Sequence, residues 1–121
     1  MKVYLVTSLW VNEDEISSDV DVFATREAAL EFLNKSIESE LQFWREDLNF
    51  NFPADVGKEG LSYYQINWDD DAGETITEID TEDVLLYPNI IIDRTPTSFC
   101  IHCTDRTTWV EYNYEEREIK E

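Results

Sequence analysis

Glycine is scarce in this chain, with three in 121 residues. A phosphate-cradling Walker loop or a dinucleotide-binding GxGxxG turn needs several glycines close together, and neither is present. Cysteine is nearly absent too. Cys100 and Cys103 are too few and too close for a disulfide framework, so reduced thiols in a cytoplasmic protein are the expected state. His102 is the only histidine. No HExxH or GxSxG motif occurs, and no pattern of residues points to catalysis or to a cofactor. No apolar run approaches the ~20 residues of a membrane span, and "MKVYLVTSLWV" lacks a signal-peptide cleavage pattern.

Positive charge is the most consequential shortage. Nine Lys+Arg stand against 28 Asp+Glu, a formal charge of −19. A polyanionic nucleic acid or an anionic membrane would be repelled by such a surface. A basic protein, a cation or water alone remain as company. The apolar and aromatic content (42% and 13%) is nevertheless that of a folded chain, and disordered chains lack such residues. The length suits one domain, residues 1–121, able to hide roughly two-thirds of its unfolded surface.

Periodicity predicts the elements. Residues 2–11 read as a central strand with apolar groups on both faces, covered in part on both sides. "NEDEISSD" reads as a polar turn and residues 20–24 as a second strand. Thr25 is placed to cap a helix running to about Asp47, with Leu30, Leu33, Ile37, Leu41 and Trp44 on one stripe. Residues 48–60 read as a loop that folds back on the domain through Leu48, Phe50 and Phe52. Strands are expected at 61–68, 74–80, 89–93, 98–103 and 107–119, the last two forming a hairpin. Thr81 could cap one helical turn before Pro88. The implied class is α+β: one long amphipathic helix packed on a mostly antiparallel sheet of about five or six strands.

The segment "WDDDAGETITEIDTED", residues 68–83, carries eight carboxylates and no base. Indeed no base occurs between Lys58 and Arg94. Same-face residues on a strand recur about every 6.7 Å. Glu74, Glu78 and Asp80 would thus present a row of charges comparable to phosphates, which makes the segment a nucleic-acid mimic. Asp69, Asp70, Asp71, Glu82 and Asp83 extend it, and Trp68 would be a desolvated anchor. The alternative is a solvated face that only keeps the protein soluble.

Two metal readings compete with this. Asn67, Asp69, Asp71 and Glu78 fall at EF-hand ligand spacing, which makes a cation-binding module using residues 67–78 an alternative. Ala72, however, stands where that loop needs Gly, and its flanks read as strands. "CIHC" puts Cys100 and His102 on one strand face and Cys103 on the other, two short of a structural zinc set. The sequence therefore implies a non-catalytic acidic binding protein. It would neutralise or regulate a basic partner such as a nuclease, nucleic-acid-binding protein or toxin. Size, charge and lack of catalytic motif are those of phage-type anti-defence inhibitors and immunity proteins, a likeness of class that rests on no residue motif.

Overall fold

β-branched and aromatic residues, which fit a pleated and half-buried surface, build most of the chain into strands. The computed structural model describes residues 1–71, 73–80, 89–104 and 107–120. In chain order the elements are β1 (Lys2–Asn12), β2 (Glu15–Phe23), α1 (Arg26–Glu46), β3 (Gly60–Asp69), β4 (Gly73–Ile79), β5 (Ile90–Thr95), β6 (Ser98–Cys103) and β7 (Thr108–Glu118). The class is α+β, with one described helix and one antiparallel sheet. The sheet has seven strands, more than the five or six expected, in the order β2-β1-β7-β6-β5-β3-β4. β1 and β7 pair along nearly their whole length, and β6 holds the centre of the order.

β2 begins earlier than its sequence suggests. Only residues 13–14 turn, because Asn12 pairs directly with Glu15 and the ladder continues through Ile16 and Ser17. The Asn12 side-chain oxygen accepts from the Glu13 amide at 2.9 Å and helps close the bend. The possible helical turn after Thr81 lies outside the described residues.

α1 starts where expected. The Thr25 hydroxyl accepts from the Ala28 amide at 3.2 Å, satisfying one of the first-turn donors that a helix leaves open. Its buried stripe is Ala29, Leu33, Ile37, Glu40, Leu41 and Trp44, with Leu30 half-buried beside it. The helix packs on β7, β1 and β2. The other half of the same sheet face is covered by the loop after the helix. Phe50 and Val56 are buried there, and Phe52 meets the Tyr64 ring edge-on at 5.8 Å. Arg94 of β5 fixes this loop by donating to the Gly57 carbonyl at 2.9 Å.

Helix and loop therefore share one face of the sheet. The opposite face has no described helix or loop over it. β1 is covered in part on both sides, as expected: Val3 and Leu5 are buried on this second face, whereas Ile16, Val20 and Val22 on the neighbouring β2 are exposed. On this open face the registers line up one row across all seven strands: Ile16, Val11, Trp109, His102, Ile91, Tyr63 and Ile79.

Gly57 carries a positive φ of 86°, and a Cβ there would collide with Leu41 Cδ1. Both the backbone and the helix beneath the loop exclude a side chain. Gly57→Ala is expected to cost about 2 kcal/mol in urea unfolding. An unchanged midpoint would contradict this packing of loop on helix.

Candidate functional site

The acidic segment is a hairpin. β3 and β4 pair from Tyr63 with Ile79 to Asp69 with Gly73. Asp70 and Asp71 lie exposed in the turn. Trp68, opposite Glu74, is 73% exposed. Glu74 is half-buried, and its carbonyl accepts from the Asn51 side chain at 3.1 Å. Asp80 is exposed just past β4, and Asp69 ends β3. Glu82 and Asp83 lie outside the described residues.

Glu74 and Glu78 do share a face, but it is the face that the 48–60 loop covers. Lys58 reaches across from that loop to Glu78 at 2.8 Å and holds Asp55 at 3.2 Å. The hydrogen bonds to Glu78 and Asp55 raise the Lys58 pKa well beyond the ordinary lysine range, which keeps the cation in place. One acid of the expected row is thus matched by a base that sequence distance had set apart from it.

The same hairpin separates the calcium ligand set. Glu78 pairs with Tyr64 on the loop-covered face, whereas Asn67 sits on the other face and donates to Thr77 Oγ1 at 3.0 Å. Successive strand residues point to opposite faces, so Asn67 and Glu78 do not converge. Among the described residues no three His, Cys, Asp or Glu side chains are grouped to hold a metal ion. In β6, Phe99, Ile101 and Cys103 are buried, while Cys100 and His102 lie half-buried on the open face. Both cysteines are thiols outside any disulfide.

All neighbouring strands are antiparallel, so β1 and β3 run the same way and their following turns project at one end of the sheet. Glu13, Asp14 and Glu15 at the first turn are exposed, as are Asp70 and Asp71 at the second. The two turns point the same way without forming one patch: Val11 and Tyr63 share a register row, Glu13 lies two residues past it and Asp70 seven, on strands four places apart. The acids of "NEDE" at 12–15 were visible in the sequence, but their common direction with the later segment requires the strand directions.

A second feature was missed. Glu40 is only 8% exposed. Its Oε1 accepts from Trp10 Nε1 at 3.2 Å and from the Tyr112 hydroxyl at 2.8 Å. Its Oε2 accepts from Trp44 Nε1 at 3.0 Å. Burial, reinforced by the hydrogen bond to Glu40, pushes the Tyr112 pKa far above the usual phenol range. The arrangement holds the tyrosine as a neutral donor and joins α1 to β1 and β7. The signal was a carboxylate at the 37, 40, 44 spacing inside an apolar stripe.

Truncation at Glu40 leaves three donors without their acceptor. Glu40→Ala is expected to cost about 3 kcal/mol, and Tyr112→Phe, which removes one donor, about 1 kcal/mol. Chemical denaturation of the two variants checks the order; equal costs would mean that Glu40 is hydrated rather than held. The Cys100 pKa is also raised, to about 11, by burial and then by Glu111 and Asp93. The folded protein keeps this proton after the unfolded chain has lost it. The resulting stability is complete below about pH 9 and disappears as the pH passes through about 11. The thermal midpoint should fall across that window, and less steeply in Cys100→Ser; identical slopes would remove Cys100 as a contributor.

No helix of the described residues is long and apolar enough to cross a membrane, which leaves β-barrels unaddressed. No family model matches the chain, and no curated protein and no solved structure matches it either.

Proposed function

We propose that this is a non-catalytic acidic protein that binds and regulates a basic protein partner, such as a nuclease, a nucleic-acid-binding protein or a toxin. The supporting observation is the exposed acidic turn of the β3–β4 hairpin, with Asp70 and Asp71, together with a second exposed acidic turn, Glu13, Asp14 and Glu15, that projects in the same direction from β1. Most described bases are already engaged elsewhere. Lys2 meets Glu116, Lys35 meets Glu31, Lys58 meets Asp55 and Glu78, Arg94 meets Glu38, and Arg117 meets Glu115. The large acid excess consequently faces solvent, where it accelerates encounter with a cationic surface and discriminates against anionic ones.

In this reading Asp70, Asp71 and Glu74 are partner contacts and Trp68 is the apolar anchor beside them. Exposed aromatic side chains within a charged rim are the usual source of interface energy. Glu78 has a lesser part, because Lys58 already neutralises it. The proposed setting is the cytoplasm, in keeping with two thiols that form no disulfide.

Affinity capture from an extract of the cells that make the protein tests the proposal, followed by calorimetry on the purified pair. The expected result is a basic protein bound with defined stoichiometry. Its Kd should rise at least tenfold between about 50 and 300 mM NaCl, where screening shortens the reach of charge to under 10 Å. The variant Asp70→Asn/Asp71→Asn should slow association more than it speeds dissociation. Recovery of no basic protein, or a Kd indifferent to salt, would overturn the reading.

A further inference from the structure

The open face of the sheet pairs an apolar row with two acids that have no ion pair among the described residues. The row crosses every strand, from Ile16 on β2 to Ile79 on β4. At its outer end Ile16 is 77% exposed, and Trp109 in the middle is 36% exposed. Trp109 leans on His102 with ring centroids 4.7 Å apart, which props the indole on the surface. The adjacent row in register is Leu9, Glu111, Cys100, Asp93 and Leu61. Neither Glu111 nor Asp93 has an ion pair among the described residues, whereas Glu115 further along is held by Arg117 at 3.0 Å. The two carboxylates flank Cys100 and help hold its thiol protonated.

We propose that this face docks a basic amphipathic helix of a partner protein, its apolar edge along the Val11, Trp109, His102, Ile91 row and its cationic flank against Glu111 and Asp93. The inference rests on the proposed function and supplies its contact surface and partner chemistry. The dimensions agree. Neighbouring strands are about 4.8 Å apart and a helix advances about 5.4 Å per turn, so apolar residues recurring every three or four positions meet successive strands. Six strand intervals span roughly 29 Å, the length of about 19 helical residues. Charge decides against a second copy of the chain. Two molecules of net charge −19, joined face to face, would press Glu111 and Asp93 of each against a like-charged surface at a desolvation cost, and Arg117, the base that the described residues place on this face, is already held by Glu115. A helix with Lys or Arg beside its apolar edge removes both penalties and covers Ile16 and Trp109, over which the described residues place no second layer.

The probe is a pair of synthetic 20-residue peptides of identical Leu and Lys content. One has Leu at helical spacing along one edge with Lys beside it; in the other the order is scrambled. Titration is followed by chemical-shift changes in the labelled protein and by alkylation of Cys100. The patterned peptide should bind at least tenfold more tightly than the scrambled one, shift residues of the open-face row and slow alkylation of Cys100. Trp109→Ser and the pair Glu111→Lys/Asp93→Lys should each weaken it tenfold or more with the circular dichroism spectrum unchanged. Asp70→Asn/Asp71→Asn should leave it within about twofold. Equal binding of both peptides, or loss only in the turn variant, overturns the inference. So does a protein that sediments as a dimer with Trp109 shielded, since a second copy would then own the face. The two proposals fail separately. A basic partner whose affinity ignores the open-face variants leaves the function standing and removes this surface. Patterned-peptide binding without any basic partner in the capture experiment does the reverse.

Discussion

One buried carboxylate ties the architecture together. Glu40 stands on α1 and accepts from Trp10 on β1, Tyr112 on β7 and Trp44 on its own helix. Apolar packing of Leu33, Ile37 and Leu41 brings the helix to the sheet, but such packing is nearly indifferent to small slides along the helix axis. Three directional bonds to one side chain are not indifferent. They set how far along β1 and β7 the helix lies, and so where its C-terminus releases the loop that covers the rest of that face. Most of the described positions that follow, including Gly57 against Leu41 and Lys58 at Glu78, inherit that placement.

Among the described residues the sheet is dressed on one side. Helix and loop divide a single face between them, and on the other side Ile16 and Trp109 of the apolar row are exposed to solvent. Among the described residues this separates two kinds of surface: exposed turns that carry acids, and a sheet face whose apolar row is bordered by Glu111 and Asp93. Charged turns suit long-range attraction. An apolar row suits the short-range contact that follows.

The elements were legible in the sequence where periodicity was strong. The Thr25 cap, the helical stripe and the alternation in residues 98–103 all reappear in place. What escaped were relations between distant residues. The strand beginning at Glu15 looked like a turn because "NEDEISSD" is polar. The first half of this edge strand is exposed at every position and needs no apolar alternation, and its identity comes from pairing with β1. The face toward which Glu74 and Glu78 turn depends on where the 48–60 loop returns, which no local pattern encodes. The Glu40 network required noticing one acid at core spacing and then finding its donors 30 residues upstream and 72 downstream. The seven-residue row on the open face is likewise invisible until six registers are known.

An open sheet ends in two edge strands whose outward backbone groups are ready to recruit another chain. Here the borders are β2 and β4. β2 bears Glu15, Asp19 and Asp21, and β4 bears Glu74 beside the Lys58-paired Glu78. A copy adding itself at either border would bring these acids beside their own kind at one strand spacing of about 4.8 Å, and every further copy would repeat the repulsion. The surplus of acid thus also serves as a fence against fibrous growth, at the borders where an open sheet is most vulnerable to it.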